Sequence, residues 1–211
     1  MNIINAIAIE KSFGNLKVLN GISFDVKKGR CVSILGPSGC GKSTLLRILA
    51  GLMKHDNGTV EIKSKNIGIM FQEPRLLHWR NVKQNISIGL ELKGMQIDEE
   101  KINCLLDIIG LKDYGEFYPN QISGGMKQRV ALARTLATEP DVLLMDEPLS
   151  ALDYNTRKDL QNRIMSIQKE KKLTTLFVTH SIEEAKMMGD ETIVLSQKPT
   201  VIQKILKNHE I

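Results

Sequence analysis

Cysteine is scarce in this chain. Its three cysteines, Cys31, Cys40 and Cys104, stand at unrelated spacings. An odd count with no C-x-x-C pair supports neither a disulfide framework nor a zinc site, so reduced thiols in the cytosol are expected. Aromatic residues make up only 4% of the sequence, too few for a base-stacking platform, and no basic–aromatic interleaving marks a nucleic-acid surface. Charge of one sign is not concentrated either. The formal net charge of +5 is mild, and the one dense basic run, "KEKK" at 169–172, reads as a solvated helix face. No apolar run approaches the roughly 20 residues of a membrane-spanning helix. A role at a membrane therefore leaves the crossing to another chain. The N-terminal "MNIINAIAIEKSFG" has neither the basic n-region nor the small-residue cleavage site of a signal peptide. There is no internal repeat and no low-complexity linker.

What is present suits one domain carrying an inserted subdomain. The chain has 211 residues, 42% of them hydrophobic and 25% charged, enough for a sizeable core. Alternating apolar residues predict strands at Ile3–Ile9 and Val18–Val26, and "CVSILG" reads as a short buried strand. A helix follows Lys42, with Leu45, Leu46, Leu49 and Leu52 at helical spacing. "GTVEI" and "NIGIMF" are strand-like. From about 81 to 120 the texture turns helical. There, "IDEEKINCLLDIIG" offers Asp98 as a cap, Gly110 as a stop, and Ile102, Leu105, Leu106 and Ile109 on one face. With the helix that starts at Ser123, this unit runs on to about 135. After it, strands "DVLLM" and "TTLFVT" alternate with a helix from about Asn155 bearing Leu160, Ile164 and Ile167. A short helix at 181–188 and strands near 191–196 and 200–205 complete the pattern. Such alternation predicts an α/β fold with a mostly parallel sheet.

The segment "GPSGCGKS", Gly36 to Ser43, matches G-x4-G-K-[ST]. Its glycines let successive backbone amides point at phosphate oxygens. Lys42 supplies a charge for the β and γ phosphates, and Ser43 a hydroxyl for Mg²⁺. An apolar strand before it and an apolar-striped helix after it set this match apart from a chance glycine-rich turn. Further on, "DVLLMDEP" puts Asp146 and Glu147 just after a buried strand. Asp146 is the candidate Mg²⁺ partner, through water, and Glu147 the candidate to orient or deprotonate an attacking water. Without the upstream loop, both carboxylates would more simply cap the turn before Pro148. Gln72 and His180 end other strands, in "IMFQEP" and "FVTHS". The glutamine is placed to touch metal and water, and the imidazole a γ-phosphate oxygen. Alone, one is equally a turn residue and the other a structural histidine.

A second anion cradle stands far downstream. "ISGGMKQRVALARTLA" opens a helix with Ser123 as cap, and Gly124 and Gly125 leave the backbone amides bare.

Together these residues resemble the nucleotide-binding subunits of ABC transporters, nearly end to end and in that family's order. Gly36, Pro37, Ser38, Gly39, Cys40, Gly41, Lys42, Ser43 and Thr44 look like the Walker A motif. "VLLMDE" is similar to Walker B with its catalytic glutamate, and "SGGMKQR" to the ABC signature. Gln72 falls at the Q-loop, "SALD" at 150–153 at the D-loop, and His180 at the H-loop. The resemblance implies a P-loop NTPase core (an ABC ATPase), a small antiparallel β subdomain and the inserted helical subdomain, which meets a membrane subunit. It implies ATP and Mg²⁺ as cofactors and a head-to-tail dimer. The phosphate loop of one copy then faces Ser123, Gly124 and Gly125 of the other, and Asp153 ties the two sites together. This accounts for two cradles in one chain. Phe13 stands where the family stacks an aromatic on adenine, with Val18 beside it; the other reading of Phe13 is a core residue at a strand end. "ISGGM" replaces the commoner "LSGGQ", so Met126 loses a polar contact. The short segment from "NGTVEI" to "IMFQ" implies a trimmed β subdomain, and the early end leaves no room for a C-terminal regulatory domain. "FQEPRLLHWRNVKQNI" resembles the nitrate, sulfonate and taurine importers, with His78 in place of their usual proline. These importers pair two ATPases with permease subunits at the cytoplasmic face of the membrane and an external solute-binding protein. The alternatives are an ABC ATPase driving a mechanical membrane complex, a soluble ABC protein acting on ribosomes or DNA, and a nucleotide-binding module without turnover.

Overall fold

The computed structural model describes residues 1–150 and 152–207. In chain order the elements are β1 (Asn2–Phe13), β2 (Leu16–Lys27), β3 (Cys31–Leu35), α1 (Lys42–Leu49), β4 (Asn57–Ile62) and β5 (Ile67–Met70). Then come α2 (Val82–Leu92), α3 (Glu99–Ile108), α4 (Gly124–Ala137), β6 (Val142–Asp146), α5 (Tyr154–Lys171), β7 (Thr174–Thr179), α6 (Ile182–Met188), β8 (Glu191–Leu195) and β9 (Ile202–Lys207). The α/β class is borne out. A three-stranded antiparallel sheet has the order β2-β1-β4, and a six-stranded sheet the order β5-β6-β7-β3-β8-β9. In the larger sheet every pair is parallel except β8–β9.

Strand parity explains how the larger sheet divides its side chains. In β6, Val142 and Leu144 join one core cluster with Leu45, Leu46 and Leu49 of α1 and the inner residues of β1 and β2. Leu143 and Met145 point the other way, into a second cluster with Ile86 and Leu90 of α2, Leu105 and Leu106 of α3, and Leu160 and Ile164 of α5. The period of two that buries alternate residues on opposite faces thus glues one layer to each side. A sheet covered on both faces needs apolar residues at nearly every position, and β6 is buried throughout. Asp146 continues the Val142–Leu144 parity, so its carboxylate is directed to the α1 side.

Helix starts follow side-chain capping. Asp98, Ser123, Asp153 and Ser181 each accept a hydrogen bond from a backbone N–H of the first turn of α3, α4, α5 and α6. α2 opens with a reciprocal box between Asn81 and Gln84 that the sequence reading did not single out.

Two expectations are corrected. Leu52 does not extend the apolar stripe of α1: the helix ends at Leu49, Gly51 turns the chain at φ 71°, and Leu52 is 57% exposed. The last strand begins at Ile202 rather than at 200, because Thr200 is bonded to β2 instead of to β8. The antiparallel sheet keeps three strands, and residues 63–66 lead directly from β4 to β5. Gly68 in β5 lets α4 approach closely: a Cβ there would stand 2.7 Å from Cγ2 of Thr135.

Candidate functional site

Four strand ends stand side by side along the large sheet: β5, β6, β7 and β3. The parallel registers Met70↔Met145, Asp146↔Val178 and Leu35↔Thr179 keep those ends level. The residues that follow them are therefore neighbours: Gln72 after β5, Glu147 after β6, His180 after β7 and the Gly36 loop after β3. Open parallel sheets bind ligands at this carboxyl edge.

Lys42 begins α1 and is 4% exposed. Its ammonium donates to the carbonyl oxygens of Gly36 (2.9 Å) and Pro37 (3.0 Å) and lies 3.7 Å from Oε1 of Glu147. Gly41 just before it has φ 112°, and a Cβ there would come within 2.7 Å of Val18 Cγ1, so both conformation and space require glycine. Ser43 Oγ donates to Asp146 Oδ1 at 2.9 Å. Burial pushes the Asp146 carboxyl above its ordinary value, and the Ser43 hydrogen bond offsets only part of that shift.

A raised carboxyl pKa in the folded chain means that ionised Asp146 costs stability. The protein is favoured below the unfolded carboxylate value and loses that advantage as pH rises through the folded one. Asp146→Asn keeps an acceptor for Ser43 and removes the charge. Without added metal or nucleotide, its melting temperature is expected to exceed the parent's at pH 7, with the gain shrinking to nothing near about pH 4. Thermal unfolding at the two pH values checks this, and a loss of stability at pH 7 contradicts it.

Glu147 sits in the left-handed region at φ 44°, which costs a side-chain-bearing residue about 1 kcal/mol or more. Its N–H donates to Val178 O at 3.1 Å, and its carbonyl accepts from the N–H and hydroxyl of Ser150 at 3.3 and 3.0 Å. The turn before Pro148 is thus held by the backbone of Glu147. Neither carboxylate caps it. The Glu147 side chain is free to bridge two cations or donors: Oε1 faces Lys42, and Oε2 lies 3.1 Å from Nδ1 of His180.

A cavity of about 480 Å³ opens beside these groups. Ser38, Gly39, Lys42, Ser43 and Thr44 line it from the phosphate loop, with Gln72 and Glu147 from the neighbouring strand ends. Phe13 and Val18 line it from the antiparallel sheet. Phe13 is 48% exposed, so the core reading of this residue fails; Lys11 Nζ stands 5.6 Å from its ring centroid. The sequence reading missed two lining residues, Leu16 and Lys198. Cys40 is buried at the loop and its carbonyl accepts a hydrogen bond from Thr200.

Gly36, Pro37, Cys40, Asp146 and His180 are not lining residues but neighbour them in sequence or by hydrogen bond; four further candidates lie elsewhere. Ser123, Gly124 and Gly125 lie at the start of α4, where Ser123 Oγ accepts from Met126 N at 3.3 Å. Asp153 caps α5 by accepting from Thr156 N at 3.1 Å, and this bonding holds its carboxyl below the ordinary value. The two helix starts abut. A Cβ on Gly125 would stand 3.1 Å from Leu152 Cδ2 and 3.7 Å from Thr156 Cγ2. Ser123 and Asp153, both exposed, therefore belong to one second surface. Ala151, within the "SALD" stretch, lies outside the described residues.

Other polar residues brace the site and were not foreseen. The Arg134 guanidinium donates to the carbonyls of Pro74 (2.6 Å) and Arg75 (2.9 Å), tying α4 to the loop that carries Gln72. Fully buried Asn85 accepts from Leu77 N and donates to the carbonyls of Leu77, Arg80 and Asn81, fixing the same loop from α2. Their only sequence signal is a polar side chain on an apolar helix face.

A profile of the family described as ABC transporter matches residues 19–150. The taurine import ATP-binding protein of Jannaschia sp. (strain CCS1) is 42% identical over 200 residues, 90% of this chain and 75% of that protein. The chain belongs to the ABC transporter family. Within it, an aliphatic sulfonates import ATP-binding protein of Bacillus subtilis (strain 168) is 44% identical over 199 residues, 91% of this chain and 78% of its own. Among solved structures of ABC cassettes, one described as a dimeric post-hydrolysis state bound to ADP and Pi superposes with a TM-score of 0.86 at 29% identity, covering 97% of this chain and 98% of that one. The α/β architecture with its two sheets is that of an ABC ATPase.

Proposed function

We propose that this chain is the ATP-hydrolysing subunit of a solute importer of the sulfonate, taurine or nitrate type, working as a head-to-tail pair. The observation that carries the reading is Glu147, poised between Lys42 and His180 at the mouth of a cavity lined by the phosphate loop. Phe13 and Val18 offer an apolar wall for adenine. The amides of the loop from Gly36 to Thr44, with Lys42, receive the phosphates. The hydroxyl of Ser43 and the carboxylate of Asp146 stand 2.9 Å apart, and with Gln72 they form an all-oxygen donor set that suits Mg²⁺. When bound, that ion neutralises charge on the β and γ phosphates.

In the proposed step Glu147 orients a water and takes its proton as the water oxygen bonds to the γ phosphorus. The bond from phosphorus to the β–γ bridging oxygen breaks, releasing ADP and phosphate. His180 holds the Glu147 carboxylate in line by donating its Nδ1–H to the other oxygen, and in its protonated form it also offers Nε2–H to the γ-phosphate. Ser123, Gly124 and Gly125 reach the γ-phosphate of a second copy, and Asp153 couples the two sites. Support comes from their position on a separate exposed surface, and from dimeric cassettes among the structural relatives. Permease subunits are the membrane partners, with an external solute-binding protein acting through them. The names of the relatives and the "EPRLLHW" stretch favour an importer over a mechanical complex. No helix among the described residues is long and apolar enough to cross a membrane, which agrees with peripheral attachment to a permease.

The test separates the two surfaces. The parent chain in Mg-ATP is expected to release phosphate and to dimerise. Ser123→Arg, at the exposed start of α4, is expected to keep ATP binding by the single chain within a few-fold while losing both dimer and turnover. Hydrolysis by a Ser123→Arg chain that stays monomeric would remove the head-to-tail reading.

A further inference from the structure

The connection between β8 and β9 reads "SQKPTV", residues 196–201. It is closed on itself: Ser196 N donates to Val201 O, and Val201 N donates to Ser196 Oγ, both at 3.0 Å. It is also fastened to the two elements that build the cavity. Thr200, fully buried, donates its N–H to Val18 O at 2.9 Å, accepts from Asn20 N at 2.9 Å, and donates its hydroxyl to Cys40 O in the phosphate loop. Two residues before this anchor, Lys198 lines the same cavity as Phe13, Leu16 and Val18.

The charges around the cavity are unevenly satisfied. Lys42 is held by two carbonyls and faces Glu147. Lys11, next to Phe13, is paired with Asp56 at 2.7 Å. Glu147 is engaged by Lys42 and His180. Lys198, by contrast, makes no ion pair or side-chain hydrogen bond among the described residues, and Phe13, Leu16 and Val18 on the same cavity wall are apolar. An anchored, unpaired ammonium beside an apolar wall suits an anionic group attached to a flat apolar one.

We propose that Lys198 binds the α-phosphate of the nucleotide, as a second cation complementing Lys42. This deepens the nucleotide reading and rests on it. The assignment follows from chemistry. The loop amides cradle the α and β phosphates and Lys42 reaches the β and γ ones, so the α-phosphate is the one left without a cation. The base lies on Phe13. Between base and β-phosphate the one anionic group is the α-phosphate, and an ammonium gains far more from it than from neutral ribose hydroxyls. Lysine serves here as a flexible point charge.

ATP and ADP share the α-phosphate, and this sets the test. Kd for ATP and for ADP is measured with the parent, Lys198→Ala, Lys198→Arg and Lys42→Ala, together with kcat and KM for hydrolysis. Lys198→Ala is expected to weaken ATP and ADP equally, by about tenfold, a modest value for a charge-assisted bond near solvent. KM rises by a similar factor with kcat unchanged, and Lys198→Arg restores both to within about twofold. An exposed side chain without a partner leaves the melting temperature unmoved. Unchanged affinities in Lys198→Ala overturn the proposal, and so does a loss for ATP that spares ADP, which would move the contact to the γ-phosphate. A parent that binds neither nucleotide removes the nucleotide reading itself. A parent that binds both, with Lys42→Ala failing, leaves that reading intact whatever Lys198 does.

Discussion

Replacing Glu147 with glutamine is expected to cut steady-state ATP hydrolysis by about 10²–10⁴-fold, the usual contribution of a positioned general base, while ATP still binds. The geometry makes this substitution informative. Glutamine keeps the length of the side chain and can still bond His180 from Oε1 or Nε2, so the φ 44° turn held by Ser150 and Val178 is undisturbed. What is lost is the negative charge that removes a proton from water. Because ATP then persists uncleaved, the variant is expected to accumulate as a dimer in Mg-ATP. Phosphate release and sedimentation on one preparation measure both effects. Turnover within tenfold of the parent would show that Glu147 is not the base. A variant that binds ATP tightly yet stays monomeric would instead count against the shared site.

The second large effect concerns Lys42. Lys42→Ala is expected to weaken ATP binding by at least about 10³-fold, because two terms act in the same direction. A charge-assisted contact to the phosphates disappears. Glu147, 3.7 Å from the lost ammonium, then presents an uncompensated carboxylate to an anionic ligand. The carbonyls of Gly36 and Pro37 also lose their donor, so a drop in stability of about 1–3 kcal/mol is expected. The two terms can be separated by a double-mutant cycle. Adding Glu147→Gln to Lys42→Ala removes the repulsion and should recover part of the binding. If the double variant binds no better than Lys42→Ala alone, the coupling of these two side chains is absent in the bound state. Titration with a fluorescent ATP analogue, alongside thermal unfolding, reads both quantities.

Much of the candidate chemistry could be read before any coordinates, because each motif is compact. Gly36 to Ser43 carries its own glycines, cation and hydroxyl within eight positions. "VLLMDE" announces a buried strand ending in two carboxylates. The capping residues Asp98 and Ser123 were legible for the same reason: capping is a contact between residues two or three apart. Local turn geometry was less legible. In "AGLMK" two signals conflict: Gly51 is a helix stop, but Leu52 keeps helical spacing past it, and the reading followed the spacing. Lys198 was invisible because its place depends on Thr200, whose partners Val18 and Cys40 lie 182 and 160 positions earlier in the chain (200 less 18, and 200 less 40). Arg134 and Asn85 were hidden likewise; their partners are backbone groups, which leave no trace in residue identity.

By itself, then, the sequence determined which segments are strands and helices, where a phosphate loop stands, and which carboxylates end a buried strand. These properties depend on spacing along a few neighbouring residues. Only the tertiary structure decided that β5, β6, β7 and β3 are adjacent and level, so that Ser43 meets Asp146 across 103 positions and Glu147 meets His180 across 33. It also set the start of α4 and the start of α5 against each other, away from the cavity. The physical reason is that strand order and helix packing are chosen by burial and hydrogen bonding between distant segments, and hydrophobic periodicity carries no record of which distant segment will be the neighbour.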